Sequence, residues 1–309
     1  MNRFPILDGA ALASAEVSAI EAMDAIEAGL AAWGRGEAQQ PHPPALRPAA
    51  GGFFQPLIAT LPAENVACVN WLAYHPGNVA FGHPHSSGLL ILNDLANGET
   101  FCLMDGLWVS HRRTGYVAAL AVKYLAGGFG DVALIGAGAI AVFATEALAA
   151  IGRICGELRV CARTPAGARR FCADAVARLG IKARPVMEPR EAVRGVRLVV
   201  TSTTHAGPPF IERDWLDNGT LVVMIDRLRV VTPGLLAQAD RIVPNSRESL
   251  AGWGFEDHGQ VRQTLPEIIA AGQPLPVAAG EIVLCDAGGL AVADLAYAAL
   301  LWQRWKDRV

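Results

Sequence analysis

Asp131-Val-Ala-Leu-Ile-Gly-Ala-Gly-Ala-Ile-Ala141 is a short apolar run that stops abruptly at glycine and restarts as an Ala-rich segment reaching about Ile151-Gly152. The pattern reads as strand, tight turn, helix. Gly136 permits the turn, Gly138 lets backbone approach a pyrophosphate, and Ala141 lets the new helix pack close to the strand. Gly136, Ala137, Gly138, Ala139 and Ile140 are therefore the expected phosphate cradle, with the helix N-terminus supplying free N–H groups and the positive end of its dipole. A glycine-rich turn in some other α/β fold is the competing reading.

Downstream, apolar runs and helical segments alternate regularly. Leu158 to Ala162, Lys182 to Val186, Arg197 to Thr201, Thr220 to Ile225 and Arg241 to Val243 read as strands. Thr164-Pro165 and Thr232-Pro233 each pair a capping hydroxyl with proline at the first helical position. Short strands with helical crossovers imply a parallel, doubly wound sheet. Beyond Pro244 the pattern loosens through Ser246 to Gly259. Then come a helix at about Val261 to Ala271, a strand at Glu281 to Cys285 and a last helix at Gly289 to Trp305.

Upstream the character differs. Ser14 is the expected cap of a helix reaching Trp33, and Gly34 to Gly52 is a Pro/Gly-rich connection. Val66 to Tyr74 reads as a strand. Leu89 to Leu92 and Thr100 to Met104 flank Asn97-Gly98, a hairpin signal. Ser110 to Ala126 reads as a helix leading into the Gly136 strand. The expected class is α/β: a Rossmann-type doubly wound domain over residues 127–285, plus an α+β domain built from residues 1–126 and 286–309.

Bulk properties narrow the function classes. The chain has 309 residues, 52% hydrophobic and 18% charged, with a net charge of −3. The missing basic excess argues against nucleic acid. Met1 to Ile20 has one early arginine and no continuous apolar core, so no signal peptide is expected. The apolar region Gly115 to Gly152 is broken by Lys123, Asp131 and several glycines, so no membrane span is expected either. Six cysteines without C-x-x-C spacing suit buried thiols in a cytoplasmic protein. His83 and His85 lack a third ligand, so no metal is expected.

The residue that would read the cofactor's ribose falls at the end of the second strand. That place holds Ala162-Arg163-Thr164, with no acid. Arg163 and Thr164 suit a 2′-phosphate, which favours NADP(H) and leaves NAD(H) open. The substrate belongs at the carboxyl ends of the strands. Thr201, Ser202 and Thr203 offer hydroxyls to the cofactor there, unless they are simply a polar loop. Asp226 follows Leu221 to Ile225 and suits a general acid/base if burial raises its pKa; the competing reading pairs it with Arg227 or Arg229. Arg112 and Arg113 offer guanidinium groups to a carboxylate, or serve a structural ion pair.

Several segments together resemble the ornithine cyclodeaminase/mu-crystallin family. They are Asn93-Asp94, Asn97-Gly98, Cys102-Leu-Met-Asp-Gly106, Arg113-Thr114, Lys123-Tyr-Leu-Ala126, the Gly136 fingerprint, Asp214-Trp215-Leu216, Asp226, and Asp286-Ala-Gly-Gly-Leu-Ala-Val-Ala-Asp294. The resemblance spans about residues 40 to 300. It implies that the Rossmann domain is inserted between the two parts of a substrate-binding and dimerisation domain, and it implies a homodimer with bound NAD(P) and hydride chemistry at the α-carbon of an amino acid or cyclic imine. By match to the family pattern, Arg113 grips the substrate carboxylate and Asp226 assists chemistry at the nitrogen. Arg47 or His42 falls near an upstream substrate arginine. Asn70 stands where the family pattern has a catalytic-site lysine. An amide hydrogen-bonds but cannot act as an acid, which argues against strict ornithine cyclodeamination. Three readings follow: an NAD(P)-dependent enzyme acting on an amino-acid-like small molecule, an NAD(P)-bound binding protein with little catalysis, or a structural or interaction protein with a vestigial fold.

Overall fold

The computed structural model describes residues 4–49, 51–128, 130–253 and 257–308. The chain divides into two units, Met1–Arg113 with Gly289–Val309, and Thr114–Gly288.

The first unit opens with β1 (Ile6–Leu7) and α1 (Gly9–Ala13), which Asp8 caps by accepting from the Ala10 and Ala11 N–H groups. The next helix, α2 (Ala19–Gly34), starts at Ser18 rather than Ser14. The reason is local. Ser18 is followed three residues later by Glu21, and the two side chains satisfy each other's backbone N–H groups in a capping box. Ser14 has no such partner and ends α1 instead.

Strands β2 (Phe53–Leu61), β3 (Val66–Tyr74), β4 (Ser86–Asp94) and β5 (Thr100–Asp105) form an antiparallel meander, with β1 added parallel to β5 in the order β1-β5-β4-β3-β2. β2 has no counterpart in the sequence reading because Pro56 interrupts it. As the edge strand it tolerates a residue without an N–H donor. The Asn97-Gly98 pair lies within a connection that Asp94 closes by accepting from Ala96 and Asn97. Helix α3 (Gly106–Leu125) begins four residues before Ser110, because Asp105 accepts from the Leu107 and Trp108 N–H groups.

The second unit contains β6 (Val132–Ile135), α4 (Ala139–Ala150), β7 (Glu157–Cys161), α5 (Pro165–Leu179), β8 (Lys182–Val186), α6 (Pro189–Val193), β9 (Leu198–Thr201), β10 (Thr220–Met224), α7 (Pro233–Gln238), β11 (Arg241–Val243), α8 (Leu265–Ala271) and β12 (Ile282–Asp286). The seven strands are all parallel, in the order β11-β12-β10-β9-β6-β7-β8. β6, β9, β10 and β12 are buried at every position, the mark of a sheet covered on both faces. The order in which successive strands are added reverses between β6 and β9, the switch point at which ligands bind in such folds. Thr164 and Thr232 cap α5 and α7 as expected. The irregular stretch 246–259 carries a short 3₁₀ turn at Glu248–Trp253 and includes residues 254–256, outside the described residues.

Helix α9 (Ala291–Lys306) completes the first unit. It packs on the sheet face that carries Leu57, Ala59, Cys68, Asn70, Leu90, Leu92, Cys102 and Met104, and α2 packs on α9. The opposite face is also apolar. In register across all five strands lie Ile6, Leu103, Ile91, Val69 and Ile58, with Leu89, Trp71 and Pro56 forming the next row. Ile6 is 70% exposed and Ile58 42%. No described helix is long and apolar enough to cross a membrane.

Candidate functional site

Within the second unit the fingerprint loop is built as a phosphate cradle. Gly136 sits at φ +113°, which a side chain would strain. A Cβ there would collide with the Ser202 carbonyl oxygen. Gly138 starts α4 with no side-chain cap, and nothing lies within 4 Å of where its Cβ would be. A twelve-residue helix therefore opens with no side chain on its N-terminus and with clear space beside Gly138. That arrangement fits a dinucleotide pyrophosphate. Ala137, Ala139 and Ile140 supply the loop and first turn. Arg163 is exposed just beyond β7. The Thr164 hydroxyl accepts from Gly167 N–H at 3.1 Å, so it is already engaged as a helix cap.

The loop after β9 links this cradle to an ionisable group. Thr201 is expected at the cofactor, but its side chain is fully buried and its hydroxyl donates to Asp226 Oδ1 at 2.6 Å. The Thr203 N–H donates to Asp226 Oδ2 at 3.0 Å. Ser202, between them, presents the carbonyl that packs on Gly136. Burial pushes the Asp226 carboxyl up to about 6, against the pull of Thr201, Thr203 and Arg229. A carboxyl poised there exchanges a proton near neutral pH. The next residue, Arg227, is held in the left-handed region at φ +61°, a strained backbone of the kind that gathers at functional sites.

Asp286, at the end of β12 and paired in register with Met224, was quoted in the sequence signature without a role. It has no exposed surface, its Oδ1 accepts from Gly288 N–H at 2.9 Å, and its Oδ2 has no partner. Burial raises its carboxyl to about 6 as well, opposed by Arg227.

The first unit holds a buried polar cluster. Arg113, only 2% exposed, donates from Nε to Asp294 Oδ1 at 2.6 Å and from Nη2 to Asp294 Oδ2 at 3.3 Å. Nη2 also donates to Ser110 Oγ at 3.1 Å. The ion-pair reading of Arg113 is the one these contacts show. Two nitrogens serve an ion pair, while Nη1 is buried and has no hydrogen-bond partner. Burial raises the Asp294 carboxyl, opposed by Arg113 and then by Asn70. Sequence reasoning gave Asp294 no role, although an acid within the apolar run Ala291–Leu301 signals a buried partner.

Asn70, expected at the chemistry, is fully buried, and its Nδ2 donates to the Gly106 carbonyl at 3.2 Å. Arg47 is exposed, with its guanidinium carbon 5.9 Å from the Phe53 ring centroid. Arg112 stacks on Trp108, its guanidinium carbon 3.5 Å from the ring centroid. Among the described residues no group of three or more His, Cys, Asp or Glu side chains is placed to hold a metal ion.

Comparison with known proteins agrees with this architecture. The chain is 29% identical over 308 residues to an alanine dehydrogenase of Archaeoglobus fulgidus, covering 93% of this chain and 91% of that one. An archaeal alanine dehydrogenase dimer with bound NAD superposes with a TM-score of 0.89 at 26% identity, over 99% and 97% of the two chains. The Thermococcus litoralis Delta(1)-pyrroline-2-carboxylate reductase, in complex with NADH and L-proline, shares the fold with a TM-score of 0.90 at 24% identity, covering 98% of each. The family model for the ornithine cyclodeaminase/mu-crystallin family matches residues 7–308, and the chain belongs to that family.

Proposed function

We propose that the protein is an NAD(P)-dependent oxidoreductase acting by hydride transfer at the α-carbon of an amino acid or its imine. The observation that carries this reading is the loop Thr201-Ser202-Thr203. It packs on the glycine of the phosphate cradle and holds a carboxyl whose pKa is about 6. A bound nicotinamide supplies the hydride in one direction and accepts it in the other. Asp226 handles the proton, delivering it to the substrate nitrogen during reduction and removing it during oxidation. Arg113 receives the substrate carboxylate on Nη1, the guanidinium nitrogen that Asp294 and Ser110 leave free. The first unit is the substrate-binding and dimerisation domain, and the second is the dinucleotide domain.

Family membership and the alanine dehydrogenase relative support the reaction type. With a neutral amide at position 70, ornithine cyclodeamination is the disfavoured member of the set. Exposed Arg163 and the missing acid at the end of β7 support NADP(H), with NAD(H) second. The open apolar face supports a homodimer. Five aliphatic side chains in register form a patch that a monomer would leave in water.

The test is turnover. Purified protein is incubated with NADPH or NADH and a panel of cyclic imines, and of 2-keto acids with ammonia or amines, while loss of reduced nicotinamide is followed. L-Amino acids with NADP+ or NAD+ test the reverse. Turnover in at least one set is expected. Tight dinucleotide binding with no turnover in either direction would overturn the enzymatic reading and favour a binding protein.

A further inference from the structure

Asp286, Gly288 and Asn245 fasten the exit of β12 to the turn that carries Asp226, all within the second unit. The two strand ends are stitched together. Asp286 pairs in register with Met224, and the Ala287 N–H donates to the Met224 carbonyl at 3.0 Å. Gly288 is then pinned at both ends. Its N–H donates to Asp286 Oδ1 at 2.9 Å, and its carbonyl accepts from Asn245 Nδ2. Asp286 has no exposed surface and Asn245 has 4%. A side chain on Gly288 would place its Cβ 3.1 Å from the Ile225 carbonyl oxygen, 3.3 Å from Asp286 Oδ1 and 3.7 Å from Arg227 Cγ. The Ile225 carbonyl belongs to the peptide that leads into Asp226. Ile225 is therefore held on one side by β9, where its N–H donates to the Thr201 carbonyl at 2.9 Å, and on the other side it backs onto Gly288. Arg227, next after Asp226, is held at φ +61°.

We infer that Asp286 is a positioning residue: by closing the 286–288 turn on the Gly288 N–H, it holds the Ile225–Asp226 peptide in place and so aims the Asp226 carboxyl. This rests on the reading that Asp226 handles the proton. Thr201 and Thr203 hold that carboxyl from the side of β9, and the Asp286 turn supports its main chain from the side of β12. Asp286 works here as a hydrogen-bond acceptor and not as a charge. Oδ1 makes the one bond, while Oδ2 is buried without a partner, so a charge on it meets no donor. An amide oxygen at the same place accepts the same bond and buries no charge. Asparagine closes this kind of turn as aspartate does, and alanine cannot.

The experiment uses the full chain. The Asp226 carboxyl is titrated by carbon-13 NMR of aspartate-labelled protein, with Asp226→Asn assigning its signal. The kcat and KM are measured with dinucleotide on whichever amino or imino acid turns over. In Asp286→Asn the turn stays closed, and kcat stays within about threefold of the parent. In Asp286→Ala the turn opens and water reaches Asp226. Its titration then lies about one pH unit below that in Asp286→Asn, towards the ordinary carboxylate range. The kcat drops about 10- to 100-fold with KM within about threefold, the loss expected when a reacting group is displaced by about 1 Å. Both variants delete the same charge, so their difference isolates the hydrogen bond. Arg227 and Arg229, the cations beside Asp226 in the chain, are unchanged throughout. Gly288→Ala keeps Asp286 and presses a methyl on the Ile225 carbonyl from behind. It should lower kcat and the Asp226 titration in the same way, and it serves if Asp286→Ala does not fold. Equal titrations and equal kcat in Asp286→Asn and Asp286→Ala would overturn the inference, whether both match the parent or both lose activity. A Gly288→Ala variant that matches the parent would overturn it too. If Asp226 of the unsubstituted protein titrates at the ordinary 3.8, the underlying reading of Asp226 fails, a result separate from these.

Discussion

Asp226→Asn separates burial from catalysis at the proton-handling carboxyl. In the folded protein this group titrates at about 6, against an ordinary value of 3.8, and burial is the largest cause. About two pKa units at 1.36 kcal/mol each put the cost of ionising it at about 3 kcal/mol. Residual solvent contact lowers the expected effect to about 1–3 kcal/mol. The sign follows from linkage. Between pH 4 and 6 the folded state keeps a proton that the unfolded state has released. The favourable contribution is therefore complete below about pH 4 and is lost as pH rises through 6. The asparagine variant cannot ionise. Its stability relative to the parent should rise by about 1–3 kcal/mol between pH 4 and pH 7.5, read by urea denaturation at both values. The Thr203 N–H loses its carboxylate acceptor in the variant at either pH. That offset of about 1 kcal/mol cancels in the pH difference. Asp286 titrates in the same range and is present in both proteins, so it cancels too. Activity gives the second half of the test. Reduction needs protonated Asp226 and should fall above pH 6, while oxidation needs the carboxylate and should rise there. Both limbs vanish in the variant, with a rate loss of about 10²- to 10⁴-fold. A stability difference that does not change with pH, or pH limbs that survive in the variant, would refute the reasoning.

Other substitutions test the remaining parts. Gly136→Ala forces a side chain into φ +113° and against the Ser202 carbonyl, so thermal unfolding should show a loss of at least about 1–3 kcal/mol, with dinucleotide stabilisation reduced. Arg163→Glu should raise KM for NADPH by about 10- to 100-fold and leave KM for NADH far less changed; equal effects on both cofactors would remove Arg163 as a 2′-phosphate reader. Ile91→Lys, in the middle of the open aliphatic row, should convert a dimer to monomer in light scattering with far-ultraviolet circular dichroism unchanged.

The legible parts of the fold are those where local chemistry and burial agree. β3, β6, β8 and β11 fall where the apolar runs place them, and Thr164 and Thr232 cap the helices they precede. β2 was illegible because Pro56 is a strand breaker everywhere except at an edge, and being an edge is a property of the whole sheet. The α2 start was misread because Ser14 and Ser18 are equal as caps until Glu21 is counted. At the candidate site, the cradle and Asp226 are legible since each sits at the end of an apolar run. The fork between Arg113 and Asp294 joins residues 181 positions apart, and only tertiary packing reveals it.

Strand β3 shows how one alternation serves two purposes. Cys68 and Asn70 face the interior, where Asn70 meets Gly106, while Val69 and Trp71 face the open side and stand in its two apolar rows. A slip of one residue would exchange the faces, burying Trp71 where Asn70 fits and exposing the amide. The register is held on both sides: inside by Asn70 locked on Gly106, outside by Val69 between Ile58 and Ile91. A charge at Ile91 and an alanine at Asn70 therefore act on opposite faces of the same sheet. If the outer face is an interface and the inner face is core, the first variant changes assembly with the inner packing on Gly106 intact, and the second lowers stability with assembly intact. A single variant that lost both would mean that the strand register, and not either face alone, had failed.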